Sequence, residues 1–365
     1  MLNRREFAMA GLGATVGAVC GTAAFGEESR GAFRRRGLVI LPEDTSLPNW
    51  PERARRAGLT TLALHEFTLL GILAFAVSDA GRAFFDQCRA AKLEIEYELH
   101  LMSDLLQRSL FAQHPEWFRM DVSGQRTADA NCCVHSRAAL DHIARNAATV
   151  ARLLPSTSDR YFFWGDDGAN WCRCPRCMEL SDSEQALVVE NRILKELRKD
   201  RPQATLAHLA YHHTLPAPRQ VRPDDGVFLE FAPIDRAYGA INDPSYHGAP
   251  GSGVFVPLKN RDFRFRPQDH SNGQLLDFLD TNLEVFPKET AQVLEYWTDV
   301  SVVSRKKPAR KQPFDAAVMR ADLIEYRRRC LSQITSFAVW VDSDYVQCHG
   351  EPTFIQDYGN LLLEL

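Results

Sequence analysis

Eight short runs rich in aliphatic, aromatic and β-branched residues recur along this chain, and they constrain its fold more than any other feature. They fall at 38–41, 60–65, 93–100, 160–166, 205–212, 227–232, 292–297 and 336–341. Helical patterns separate several of them, at 79–92, 137–154, 184–199 and 314–330. The third helix carries the capping-box spelling Ser181-x-x-Glu184 and stops before Pro202. Strands that alternate with helices predict a parallel sheet, and eight such units predict closure into a (β/α)8 barrel over 37–365. No repeat, low-complexity tract or obvious linker divides that span.

Two connections are too long for simple crossovers. Residues 101–136 and 233–272 exceed ~15 residues and are expected to wall or cover a site, because loops that follow strands gather on one face of a barrel. For the second, rich in Gly, Pro, Tyr and His, plain disorder is the alternative.

The stretch richest in chemistry is Tyr161-Phe162-Phe163-Trp164-Gly165-Asp166-Asp167-Gly168, followed by Cys172, Cys174 and Cys177. Adjacent carboxyls at a desolvated strand end cannot both ionise cheaply, so one is expected to hold its proton near neutral pH. A capped strand end with two solvated aspartates is the plainer alternative. The CxCxxC thiols are too close to bridge one another comfortably, but they can converge on one metal ion, usually zinc. Cys132, Cys133 or His135 would supply the fourth ligand, with Cys133 preferred. A disulfide from Cys133 to one of the three, or unpaired thiols, remain open. Cys88, Cys330 and Cys348 read as buried small hydrophobes.

Polar and aromatic groups also gather at the ends of the other runs. These are His65 and Glu66, Glu98 and His100, His208, Tyr211 and His212, Glu230, Glu295, Trp297 and Asp299, then Trp340, Asp342 and Asp344. Period-two alternation puts Glu98 with His100, His208 with His212, Glu295 with Trp297 and Asp299, and Trp340 with Asp342 on shared strand faces. Acids and imidazoles interrupted by tryptophans suit a sugar site, where indole faces stack on pyranose rings and the polar groups bind hydroxyls. Taken singly, each is also explained as a satisfied structural polar group.

Composition adds exclusions. A formal net charge of −4 with 45% apolar and 25% charged residues is that of an ordinary globular chain, with no basic field for nucleic acid. Nothing calls for an organic cofactor. At the N-terminus, Asn3-Arg4-Arg5-Glu6-Phe7 precedes an uncharged Gly/Ala-rich run at 8–25, the pattern of a twin-arginine export signal over 1–26. The expected location is periplasmic or extracellular, with no stable membrane span once the signal is removed. A lipid anchor at Cys20 is the weaker alternative. Export in the folded state would let a metal load beforehand.

Tyr97-Glu98-Leu99-His100, His114-Pro115-Glu116-Trp117-Phe118-Arg119-Met120, Arg160 to Asp167 with its CxCxxC, His208-Leu209-Ala210-Tyr211, Leu229-Glu230-Phe231-Ala232-Pro233 and Leu294-Glu295-Tyr296-Trp297-Thr298-Asp299-Val300-Ser301 resemble the bacterial family called domain of unknown function 4838. The resemblance spans roughly residues 59 to 360. That family is similar to glycoside hydrolases with (β/α)8 barrels, especially hexosaminidases, O-GlcNAcases and α-glucuronidases. The resemblance implies an exported glycosidase acting on an N-acetylhexosamine or uronic acid glycan. Asp166 would orient the substrate's 2-acetamido group, and Asp167 would be the general acid. Glu98, His100, Trp164, His208, Tyr211, Glu230, Glu295, Trp297, Asp299, Trp340 and Asp342 would bind the sugar. The cysteine cluster after the acid pair departs from the usual sugar-pocket loop, which leaves Asp166 the alternative role of holding that loop through backbone N–H groups. A non-catalytic carbohydrate-binding barrel is the competing reading. A metal-dependent hydrolase is less favoured, because no HxH pair follows the first strand.

Overall fold

A computed structural model describes residues 33–234, 236, 270–304 and 306–365. The expected export signal and most of the 233–272 connection lie outside these residues. Eight parallel strands close into a barrel in chain order. They are β1 (Arg35–Ile40), β2 (Thr61–Leu64), β3 (Glu94–His100), β4 (Arg160–Trp164), β5 (Thr205–Ala210), β6 (Val227–Phe231), β7 (Gln292–Glu295) and β8 (Gln333–Phe337). Closure is made by β1 on β8, with Arg35 opposite Gln333 and Val39 opposite Phe337. The fold is therefore the (β/α)8 barrel that the alternation predicts.

Helices α1 (Trp50–Arg56), α2 (Leu69–Val77), α3 (Asp79–Ala90), α4 (Met102–Leu105), α5 (Arg137–Leu153) and α6 (Asp182–Leu197) precede β5. Beyond it come α7 (Asn272–Leu283), α8 (Ala316–Arg328), α9 (Ser343–His349) and α10 (Phe354–Glu364). The start of α6 is set as its sequence spells it. Ser181 Oγ accepts from the Glu184 N–H, and the Glu184 carboxylate accepts from the Ser181 N–H at 2.8 Å. No helix among the described residues is long and apolar enough to cross a membrane.

Both faces of every strand are covered, as a parallel barrel requires. Outward residues such as Leu38, Ile40, Leu62, Leu206, Leu229 and Ile334 pack under the helices. Inward residues, among them Val39, Ala63, Phe162, Trp164, Leu209, Phe228, Leu294 and Phe337, fill the lumen. At the strands' N-terminal ends the filling turns polar. Arg160 donates to Gln333 Oε1 and Gln292 Oε1, each at 2.7 Å, and its Nε lies 3.3 Å from Glu96 Oε1. A buried guanidinium is tolerable there only because these acceptors surround it.

Candidate functional site

A cavity of about 590 Å³ opens at the strands' C-terminal ends. His65, His100, Trp164, Tyr211, Tyr296 and Phe337, at or just past six strand ends, line it together with Trp340. A larger hollow, about 710 Å³, lies at the opposite end against Arg35, Glu94, Arg160 and Gln333. Loops that carry chemistry in such barrels follow the strands rather than precede them, so the C-terminal cavity is the candidate site.

The two adjacent aspartates leave β4 in different directions. Asp166 turns into the loops: its Oδ1 accepts from the Ser103 N–H at 3.1 Å, and its Oδ2 accepts from the Asn131 N–H at 2.6 Å and from Arg108. Its own N–H returns a bond to Asn131 Oδ1 at 2.9 Å. Both carboxylate oxygens are engaged, which is the loop-holding role that the cysteine cluster leaves open. Gly165 permits this approach, since a Cβ there would sit 2.9 Å from Asn131 Oδ1. Gly168 lets the chain turn away with a φ of +56°.

Asp167 points into the cavity and is half exposed. Its Oδ1 accepts from the Tyr211 hydroxyl at 3.0 Å and lies 3.7 Å from His100 Nε2. Burial works to raise its pKa, but His100, the Tyr211 bond, His212 and His65 outweigh it, and the group is held below the ordinary range. Asp167 is thus ionised at neutral pH, in contrast to the proton-holding member expected of the pair. The carboxyl of this cavity whose pKa is displaced upward, toward holding its proton, is Asp299. Burial pushes it up to about 6, against hydrogen bonds from the Ser301 hydroxyl at 2.7 Å and the Ser301 N–H at 2.9 Å.

Of the expected sugar-binding residues, His100, Trp164, Tyr211, Asp299 and Trp340 line the cavity. The others do not, and each has a structural reason. His208 faces outward, where its Nδ1 meets Glu190 Oε2 of α6 at 2.6 Å and its ring stacks on Phe286. Glu295 and Trp297 also face outward. Glu295 pairs with Arg236 at 2.6 Å and accepts from Tyr326, while the Trp297 indole donates to Asp322 at 2.8 Å. Asp342 caps α9 through the Tyr345 N–H at 2.8 Å and pairs with Lys307 at 2.6 Å. Glu98 and Glu230 face inward but are buried in the lumen. Burial raises both, Glu98 well above its usual range and Glu230 to about 8. Glu230 Oε2 accepts from the Trp164 indole at 3.0 Å, so it fixes a wall of the cavity without lining it.

The Sγ atoms of Cys133, Cys172, Cys174 and Cys177 lie within 4.8 Å of one another, all buried. Cys133 Sγ is 3.9 Å from that of Cys174 and 3.8 Å from that of Cys177. Four sulfurs at ~2.3 Å from a shared tetrahedral ion sit about 3.8 Å apart, so the donor set fits a metal. The Met120 N–H points at Cys172 Sγ at 3.3 Å, which helps hold a thiolate. Gln185 of α6 ties the knuckle by accepting from the Cys172 N–H and donating to the Cys172 and Cys177 carbonyls. Cys132 is buried outside the quartet, and so is Cys88; Cys348 is exposed, unlike the buried role expected of it.

A family model described as a domain of unknown function, DUF4838, matches residues 66–248. The chain belongs to the DUF4838 family. No curated protein matches this DUF4838 chain. Among solved structures it is similar to the cellulose synthase subunit Z of Clostridioides difficile, with 13% identity, a TM-score of 0.44, and 90% of this chain and 99% of that one covered. It is also similar to the β-galactosidase of Marinomonas ef1, with 12% identity, a TM-score of 0.47, and 90% and 59% covered. The spore cortex-lytic enzyme of Bacillus cereus gives 11%, 0.43, and 90% and 74%.

Several residues of the DUF4838 site escape a sequence reading. Tyr296 lines the cavity because it faces inward beside Leu294, a position indistinguishable from core. Glu43 lies in a short 3-10 turn, Pro42–Ser46, too brief to carry a periodic signal. Asn131 has one usable sign: it precedes the Cys132-Cys133 pair and takes a φ of +41°, which Asn tolerates better than most residues. Arg108 has none.

Proposed function

We propose that this DUF4838 barrel hydrolyses a glycosidic bond in the C-terminal cavity. Asp299 gives its proton to the leaving glycosidic oxygen as the glycosidic C–O bond breaks, and Asp167 faces the developing positive charge as a carboxylate. A water molecule then adds to the anomeric carbon and returns its proton to the Asp299 carboxylate. Trp164, Trp340 and Tyr211 supply sugar-stacking surface. The observation that carries this reading is that two carboxyls with opposed pKa displacements line one aromatic-walled cavity. Opposed displacement is how one site keeps an acid and a carboxylate at the same pH. Asp166 keeps a supporting part, holding Asp167's backbone through Asn131 and Ser103.

We propose zinc as the ion for the cysteine quartet, in a structural role, because all four ligands are buried and no position is left open. Export by the twin-arginine route is proposed on Arg4-Arg5 and the uncharged run after them.

Turnover of a panel of aryl-glycosides and oligosaccharides tests the reading. A placed acid is worth roughly 100-fold to 10,000-fold, so Asp299→Asn and Asp167→Asn each lose at least 100-fold. Unchanged rates in both variants would remove the assignment. Tight glycan binding with no turnover by the wild-type chain would favour the binding barrel instead.

A further inference from the structure

We infer that the cavity is built for a glycan bearing free amino groups, a cationic amino-sugar oligomer, rather than a uronate. The inference rests on reading the cavity as a glycan site. Its lining carries five carboxyls, Glu43, Glu66, Asp166, Asp167 and Asp299, and no lysine or arginine among the described lining residues. Two of the five are neutralised from behind: Glu43 by Lys307 Nζ at 2.9 Å, and Asp166 by Arg108. Glu66 and Asp167 have no lysine or arginine beside them in the described structure, and Asp167 has the His100 imidazole, its Nε2 3.7 Å away, as a titratable neighbour of opposite sign. Asp299, as the proton donor, is left out of this charge count. The cavity therefore presents negative charge in excess of its own partners.

The imidazoles point the same way by a separate argument. The His65 Nδ1 sits 2.7 Å from the Glu98 carbonyl oxygen, and His100 Nδ1 sits 2.7 Å from that of Gly165. A carbonyl oxygen only accepts, so each Nδ1 carries the proton and donates. When the ring is neutral, Nε2 is then left as a lone pair. The His65 side chain is buried to 7% exposure and lines the cavity, and its Nε2 takes no hydrogen bond within the described structure. An unpartnered acceptor on an otherwise buried ring that lines the cavity is a position where a ligand can offer a donor.

A sugar ammonium is three N–H donors with no acceptor, whereas a uronate carboxylate offers only acceptors and meets like charge. A neutral hydroxyl can serve His65 but leaves the excess charge unanswered. The Trp164 and Trp340 rings add faces that attract a cation as well as stack on a pyranose.

Titration calorimetry of the full chain at neutral pH tests this with three tetrasaccharides: β-1,4-linked glucosamine, its fully N-acetylated counterpart, and a galacturonate. The glucosamine tetramer is expected to bind at least about tenfold tighter than the acetylated one, and the galacturonate not measurably. The gap should narrow at about 0.5 M salt and in Glu66→Gln, a rim variant whose melting temperature verifies its fold. Equal binding of the free and acetylated tetramers, or preference for the galacturonate, overturns the inference while leaving the hydrolase reading in place. If none of the three binds and no glycoside is turned over, both fall.

Discussion

The Tyr211 hydroxyl reaches from the end of β5 to donate a 3.0 Å hydrogen bond to Asp167 Oδ1 at the end of β4. A bond to the charged form favours that form, so Tyr211 is one reason Asp167 stays ionised. Tyr211→Phe should therefore raise the Asp167 pKa. If Asp167 must be ionised to work, activity is lost on the acid side of the pH profile as the proton returns. The acid limb of log kcat/KM against pH should then move to higher pH in Tyr211→Phe. An unmoved limb would mean that another group sets it.

Asp299 gives the opposite limb. With its pKa near 6, it is a competent acid below that value, and activity should fall as pH rises through it. Ser301 Oγ donates to Asp299 Oδ1 at 2.7 Å and stabilises the charged form. Removing that hydroxyl in Ser301→Ala raises the pKa further, so the alkaline limb should shift upward. Tyr211→Phe and Ser301→Ala thus move different limbs, and a pH profile of the pair with wild type separates the two carboxyls.

The cysteine quartet and the acid pair are joined through Asn131. Its backbone N–H and its side-chain oxygen bracket Asp166, while its Nδ2 donates to the Asn170 carbonyl at 3.0 Å, two residues before Cys172. Elemental analysis should find one zinc per chain. Cys177→Ser should lose it, with a lower melting temperature and faster proteolysis in 101–136, because structural zinc is worth on the order of 10 kcal/mol. Asn131→Ala should keep the metal yet lose turnover. A chain that is metal-free when isolated under reducing conditions, with unchanged stability in Cys177→Ser, would leave the thiols as packing only.

The strands were legible because each is an apolar run buried on both faces, and the strand-to-helix rhythm then leaves few topologies. Which face points inward was not legible, for the same reason. Alternation says that Glu295 and Trp297 share a side, but in a barrel wrapped by helices either side is apolar enough to be the inner one. The observed inner set is Gln292, Leu294 and Tyr296. Asp299 then reaches the cavity because β7 ends at Glu295 and the Asp299 N–H closes a turn on the Tyr296 carbonyl at 3.1 Å, which breaks the two-residue period. Asp166 and Arg108 lie 58 positions apart in a pairing that no local pattern encodes.

His208 is the sharpest case of that ambiguity, and it can be tested. It is fully buried between the barrel and α6, 2.6 Å from Glu190 Oε2, with Phe286 stacked on its ring at 5.0 Å. Removing one member of a buried hydrogen-bonded pair leaves the other unsatisfied, which typically costs about 1–3 kcal/mol. Glu190→Ala should therefore lower the denaturant midpoint by that order without changing the unfolding slope. Because the His208 ring lies on the outer face of β5, its partner's loss should reach the cavity only through stability. Glycan affinity measured well below the melting temperature should match wild type. A large loss of affinity with an unchanged midpoint would instead return His208 to the sugar site.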